Sequence, residues 1–323
     1  MRPPLVRDGA ALLKSNSVNQ VIAATLEQQE LLWTGETMLP RRRYGRDGVE
    51  LSVIGFGGIV VKDMDDAAAR EIVAEAVSRG VNYFDVAPSY GDAEERLGPA
   101  LQPFRDRVFL ACKTLERTCH AAAAELERSL RRLRTDHMDL YQFHAVNEVR
   151  EVDLIFAPGG ALKAVVEARR SGRIRYIGFS SHDEDTAIEM MGRYDFDSVL
   201  FPFNFAAWFN AGFGRRLLAM ATKKGVSCLA LKALARQRWP PDDPQRDQFR
   251  KCWYQPVTSR DEAELALRFT LGLPVVSAVS PGEAALLRLA MDVVGDARPL
   301  THEEEAALME MARDLVPVFP APS

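Results

Sequence analysis

AAAREIVAEAVSRGVNYFD, residues Ala67 to Asp85, holds one complete helix-to-strand transition, and the reading of the whole chain rests on it. Up to Arg79 the apolar residues Ile72, Val73, Ala76 and Val77 recur at the three-to-four spacing that puts them on one helical face. Gly80 follows, a residue able to take the left-handed conformation that closes a helix. Val81 to Asp85 is then a short apolar run ending on a carboxylate, of strand length and too short for a helix.

The same unit recurs along the chain. Candidate strands are Val53 to Phe56, Val81 to Asp85, Val108 to Lys113, Met138 to Phe143, Ile174 to Phe179, Ser198 to Phe203, Ser227 to Leu231 and Val275 to Val279, about eight in all. Helical stretches lie between them, such as His120 to Leu133, where Leu126, Leu130 and Leu133 share a face. Gly172 and Gly225 stand between helix and strand as Gly80 does. Strict alternation of strand and helix implies parallel pairing with right-handed crossovers. About eight such units are expected to close into an α/β fold of the (β/α)8 TIM-barrel class.

Two additions frame the barrel. Arg42 to Tyr44 and Val49 to Leu51 flank Arg46-Asp47-Gly48, whose Asp-Gly pair suits a tight turn, so an N-terminal β-hairpin should open the domain. Thr301 and Glu304 form a capping box ahead of Ala306, Leu308 and Met311, the start of an extra C-terminal helix. Residues 38–323 thus read as one barrel domain. Residues 1–37, with Pro3, Pro4 and a candidate helix from Val18 to Leu32, read as an N-terminal extension, helical or disordered.

Bulk properties narrow the partners. A chain of 323 residues with 47% hydrophobic content can bury a large core. A net charge of -4 offers no basic excess for nucleic acid or anionic lipid. Cys112, Cys119, Cys228 and Cys252 are scattered without metal-ligand spacing, which favours free thiols and predicts no metal site. No apolar run reaches the roughly 18 residues of a membrane span, and no signal-peptide core opens the chain, so a cytoplasmic protein with no membrane or nucleic-acid partner is expected.

In a (β/α)8 barrel the working residues gather at the C-terminal ends of the strands. Asp85 ends the second strand, Tyr90 lies in the loop after it, Lys113 ends the third and His144 ends the fourth. Singly, each has a common structural use as a loop anchor, an ion-pair partner or a rim aromatic. Their arrival at one mouth from consecutive strands is what points to catalysis. Tyr90 would supply the proton when a hydride reduces a carbonyl. A free tyrosine titrates at about 10, and the Lys113 ammonium would lower that value while Asp85 holds Lys113 in place. His144 would donate a hydrogen bond to the substrate oxygen.

The motifs around these residues resemble those of the aldo-keto reductase family. FDVAPSYGDAEERLG, Phe84 to Gly98, resembles the family signature, and LSVIGFGG, VFLACKT, MDLYQFH, IRYIGFSSH and PFNF follow in the family's order from Met38 onward. The resemblance implies a barrel with a nicotinamide cofactor extended across the strand ends, NADP(H) foremost and NAD(H) as the alternative, and a catalytic tetrad at Asp85, Tyr90, Lys113 and His144. The implied reaction moves a hydride between the cofactor and an aldehyde, ketone or alcohol, a sugar or other small carbonyl compound. Asp85 also counts among the residues near the cofactor. Gly57 and Gly58 would let the backbone approach the nicotinamide ribose, or form an ordinary turn. Ser180 and Ser181 stand where the family grips the nicotinamide carboxamide with Ser-Asn. Leu200 replaces a customary Gln, a role Asn204 can take over unless it merely caps the strand end.

At the phosphate end, Ser280, Pro281 and Gly282 lead into a helix N-terminus that can receive phosphate, or that is simply capped. Arg288 is the only basic residue in VSPGEAALLRLAM. Lys232 and Arg236 are further phosphate candidates, or solvated rim charges. The segment from Arg236 to Ser259 reads as a lid or as disordered chain, its Trp239, Trp253 and Tyr254 joined by Trp208 around a substrate pocket, unless these aromatics only pack loops onto the barrel. Two other readings stay open: a cofactor-binding barrel acting as a sensor or partner subunit with little turnover, and an unrelated lyase or hydrolase barrel.

Overall fold

The structure, a computed structural model, describes residues 38–296 and 298–319. The candidate helix from Val18 to Leu32 lies outside the described residues. Strands β1 (Arg41–Tyr44) and β2 (Val49–Ser52) pair antiparallel as the expected hairpin. Eight parallel strands close the barrel: β3 (Ile54–Gly57), β4 (Tyr83–Asp85), β5 (Phe109–Thr114), β6 (Met138–Phe143), β7 (Ile174–Ser180), β8 (Ser198–Pro202), β9 (Ser227–Leu231) and β12 (Ser277–Val279), with β12 hydrogen-bonded to both β3 and β9.

Helix α1 (Asp66–Ser78) starts where the Asp65 carboxylate accepts from the backbone N–H groups of Ala67 and Ala68, and it buries Ala69, Ile72, Val73 and Ala76. Gly80 then takes φ +96°, as the turn into β4 demands. The other crossover helices are α2 (Ala93–Leu101), α3 (Cys119–Arg132), α4 (Val149–Phe156), α5 (Ala161–Arg170), α6 (Glu184–Arg193), α7 (Phe205–Ala211), α8 (Arg215–Lys224), α9 (Arg260–Gly272) and α10 (Ala284–Val293). The extra helix α11 (His302–Arg313) begins at the Thr301–Glu304 capping box. It buries Leu308 and Ala312, whereas Ala306 stays exposed.

Inward-pointing residues alternate along each strand, and they form a core of their own from Tyr83, Phe109, Ala111, Leu140, Tyr176, Leu200, Leu229 and Val279. Gly55 belongs to this face because a Cβ there would stand 2.6 Å from the Tyr83 ring. The hairpin closes the end of the barrel where strands begin: fully buried Tyr44 packs edge-on against Phe109 and Tyr176, each 5.1 Å away, and its hydroxyl donates to Ser198 Oγ at 2.9 Å. A fully buried aromatic of this size contributes about 4–6 kcal/mol as an upper bound from area alone. One end of the barrel is thereby filled, and ligands are left the other.

The segment after β9 is an ordered cover. Strands β10 (Ala235–Gln237) and β11 (Gln255–Pro256) pair antiparallel, with a 3-10 turn at Pro244–Gln248 between them. The chain beyond α11 crosses to this ribbon, where Arg238 N donates to Val316 O at 3.0 Å. No helix of the described residues is long and apolar enough to cross a membrane.

Candidate active site

Sheet register brings the four reactive side chains together. Asp85, the last residue of β4, pairs with Ala111 in β5, while Lys113 two residues on pairs with Gln142 in β6. A period of two makes Asp85, Lys113 and Gln142 all point inward at the strand ends. Lys113 Nζ donates to Asp85 Oδ1, to Val86 O at 3.3 Å and to the Tyr90 hydroxyl at 3.4 Å. The second Asp85 oxygen accepts from Gln142 Nε2 at 2.9 Å and from the Tyr83 hydroxyl at 3.2 Å. Asp85 and Lys113 are each 1% exposed, and a buried ion pair is tolerable only when its remaining oxygens and protons find partners as these do. The Tyr83 and Gln142 contacts are absent from the sequence reading, although their strand spacing already aims them at Asp85.

His144 follows β6 and meets the Tyr90 ring edge-on at 5.8 Å, with its Nδ1 3.4 Å from Ser89 Oγ. Arg117 fixes the backbone there, donating to His144 O at 2.6 Å while it pairs with Glu151 at 2.9 Å. Asp85, Tyr90, Lys113 and His144 all line a cavity of about 270 Å³. That volume lies just under the ~300–1,000 Å³ usual for small-molecule sites.

Burial governs the electrostatics. It pushes the Tyr90 phenol above its ordinary value; Lys113 opposes the rise and Asp85 adds to it, so the net direction is upward. The expectation that Lys113 would leave Tyr90 more acidic than a free tyrosine is therefore corrected, because desolvation outweighs the ammonium. For Lys113 burial disfavours the charge, yet the Asp85 carboxylate and the Tyr90 phenol raise its pKa overall. His144 is pushed down to about 2 by burial and by nearby cations, Lys113 first among them, and is neutral at any working pH.

The residues singled out for a cofactor divide by position. Gly57, Gly58, Ser180, Lys232, Ser280 and Gly282 line the same cavity as the tetrad. A Cβ on Gly57 would stand 2.5 Å from Ser280 O, and one on Gly58 2.8 Å from Val86 Cβ, so close packing of neighbouring strand ends already requires both glycines. Ser180 Oγ accepts from Ala145 N at 2.8 Å, which leaves its proton free. Ser181 Oγ instead donates to Asp183 O and accepts from Asp183 N, stitching the turn into α6. Asn204 Oδ1 caps α7 by accepting from Ala207 N, while its Nδ2 is buried without a partner. Leu200 is on the cavity wall.

Other expectations change. Arg288 is held by Glu75 through contacts of 2.7–3.0 Å, and Arg236 pairs with Glu262 at 2.9 Å. Trp253 and Tyr254 line the cavity, but Trp208 packs against Phe269 of α9 under the Arg215 guanidinium, and Trp239 donates to Cys252 O. Two polar residues of the cavity were not anticipated, His182 and Lys251. Lys251 N donates to Glu283 Oε1 and its Nζ to Val60 O, placing it beside Gly282 at the start of α10.

Residues 53–284 match the family model described as the aldo/keto reductase family. The chain belongs to the aldo-keto reductase family. It is 26% identical over 306 residues to the uncharacterized oxidoreductase YqkF of Bacillus subtilis, covering 83% of this chain and 95% of that protein. It is 26% identical over 312 residues to L-galactose dehydrogenase of Arabidopsis thaliana, with 87% and 96% covered. Among solved structures, aldo-keto reductase AKR11C1 from Bacillus halodurans, in its holo form, superposes with a TM-score of 0.67 at 24% identity over 86% of this chain and 98% of that one, a likeness of fold. The aldo-keto reductase described here is thus an oxidoreductase by family, built on the family's (β/α)8 barrel.

Proposed function

We propose that this aldo-keto reductase transfers a hydride between NADP(H), or alternatively NAD(H), and a small aldehyde, ketone or alcohol, with Tyr90 as general acid and base. The observation that carries the reading is the buried Lys113 ammonium, gripped by Asp85 and 3.4 Å from the Tyr90 hydroxyl on a cavity wall shared with His144. When bound, the nicotinamide supplies or receives the hydride. The protein's share is the proton and the charge. Tyr90 donates its phenolic proton to the oxygen of the reduced carbonyl, and Lys113 stabilises the phenolate left behind. Asp85, fixed by Tyr83 and Gln142, keeps the ammonium charged and aimed. The His144 ring donates to the substrate oxygen through Nε2–H, the tautomer in which Nδ1 accepts from the Ser89 hydroxyl 3.4 Å away.

The cradle fits a nicotinamide nucleotide. Ser180 and the unpaired Asn204 Nδ2 are donors suited to the carboxamide, with Ser181 shaping the loop that carries Ser180. Gly57 and Gly58 present bare backbone, and Ser280 to Gly282 open α10, whose N-cap Glu283 makes no side-chain cap. NADP(H) is the proposed form because Lys62, Arg250 and Lys251 line the groove that continues past Tyr90 and Glu283.

Initial rates with an aromatic aldehyde and NADPH or NADH, measured against pH, test this reading. A phenol held above its ordinary pKa stays protonated as pH rises, so carbonyl reduction should hold level to at least about pH 9, short of the ~10 of a free tyrosine. Alcohol oxidation needs the phenolate and should climb about tenfold per pH unit over the same range. His144, neutral throughout, should add no inflection near 6.5. Reduction that falls away above pH 7, or that is absent with both cofactors, would overturn the assignment.

A further inference from the structure

The catalytic tetrad leaves a second cation in the same cavity without a use. Lys232 directly follows β9 on the cavity wall, and its Nζ lies 3.2 Å from His182 Nε2, 5.4 Å from the centre of the Trp253 ring and 5.8 Å from that of Phe319. His182 itself stacks on Phe319, ring centres 5.4 Å apart and planes 8° from parallel. Among the described residues no carboxylate lies within ion-pair distance of Lys232, whereas the other lysine at the strand ends, Lys113, is paired with Asp85. The imidazole nitrogen that faces an ammonium must be its unprotonated one, which leaves the Nδ1–H of His182 as a second donor. A partly buried cation beside two aromatic rings and a neutral histidine is under-compensated, and an anion in the cavity would complete it.

The backbone supports the same conclusion. Lys232 has φ +60°, a left-handed conformation uncommon for a side-chain-bearing residue, which persists where surrounding structure imposes it. Here Ala235 N donates to Lys232 O at 2.8 Å and closes a turn into the ribbon. The turn fixes the backbone from which the lysine side chain reaches the cavity wall. Desolvation and the charge of Lys113 together pull its pKa down to about 8, so it still carries most of a charge at neutral pH and lies in electrostatic reach of the catalytic lysine. His144 feels its charge as well. Lys232 thus shares one cavity with Tyr90, Lys113 and His144.

We propose that Lys232 and His182 form an anion-recognition subsite, and that the preferred substrates of this reductase are carbonyl compounds bearing a carboxylate. The inference rests on the hydride-transfer reading above but concerns which substrates enter. It is tested by calorimetric binding of 4-carboxybenzaldehyde and its neutral, equally sized analogue 4-formylbenzamide to protein saturated with NADP+, where no reduction occurs. The acid should bind at least about tenfold more tightly, the scale of one hydrogen bond to a charged group. Lys232→Met, which keeps the stem against Trp253 and Phe319, should bring the ratio near one, and Lys232→Gln should do the same if the first variant folds poorly. NADP+ affinity of each variant, read from tryptophan fluorescence, separates the two sources of anion. A variant that loses NADP+ affinity while the acid-to-amide ratio persists assigns the cation to the cofactor diphosphate and overturns the proposal, as does a ratio near one in the unaltered protein. Selective binding of the acid, lost in the variants, with no turnover of either aldehyde by NADPH would uphold the subsite and reject the reductase reading instead.

Discussion

Replacing Tyr90 by Phe is expected to lower kcat for aldehyde reduction by a factor of about 10²–10⁴, the usual worth of a positioned general acid, with KM changed little. Phe keeps the ring against His144 and over the Lys113 ammonium, which lies 5.1 Å from the ring centre, and removes only the hydroxyl 3.4 Å from Nζ. Cofactor binding should survive, so quenching of tryptophan fluorescence by NADPH is the control that separates lost chemistry from lost structure. Lys113→Met would be a poorer probe, since it strands the buried Asp85 carboxylate against Tyr83 and Gln142 and confounds catalysis with stability. Reduction by Tyr90→Phe within a few fold of the unaltered rate would remove Tyr90 from the mechanism.

Glu304→Ala is expected to lower the urea midpoint of unfolding, because it removes the carboxylate that meets the Arg268 guanidinium with both oxygens and leaves Glu264 as that guanidinium's remaining carboxylate. Arg268 has a side chain 1% exposed, and Glu304 meets it with both oxygens, at 2.9 and 2.5 Å. The same guanidinium donates to Arg298 O and Pro299 O, each at 3.0 Å, so this cation ties α9 to the approach of α11. Glu304 also accepts from Thr301 N as half of the capping box. An exposed pair such as Arg150–Glu148 contributes about 1 kcal/mol or less by contrast. An unchanged urea midpoint in Glu304→Ala would mean that Glu264, 3.2 Å from Arg268, carries the charge alone.

The barrel was legible because its signals are local. Each strand is a short apolar run bounded by glycine or polar residues, and observed ends fall within two residues of the expected ones, as in Val81 to Asp85 against Tyr83–Asp85. The gathering of Asp85, Tyr90, Lys113 and His144 on one wall was legible for the same reason, since strand-end positions dictate it. What escaped depends on contacts distant in sequence. Arg288 is the only basic residue of its segment, and nothing local shows that Glu75, 213 residues away, holds it. Lys251 lies in a proline-rich segment with no periodicity to place it, yet folding brings it beside Gly282. His182 follows a recognisable strand, but only the tail residue Phe319 and Lys232 give it surroundings. Trp208 had composition in favour of a pocket and geometry against it, because the face of α7 that carries it turns toward α9. The direction of the Tyr90 shift is likewise a property of burial depth, which residue types alone do not encode.

The most direct test of the account is a single turnover in which the protein is mixed with NADPH deuterated at the transferable C4 position and with 4-carboxybenzaldehyde, and the alcohol is analysed by mass spectrometry. One deuterium is expected on the carbinol carbon, with the labelled alcohol formed at least about 10²-fold more slowly by Tyr90→Phe. Alcohol without the label, or labelled alcohol formed by Tyr90→Phe at an undiminished rate, would contradict it.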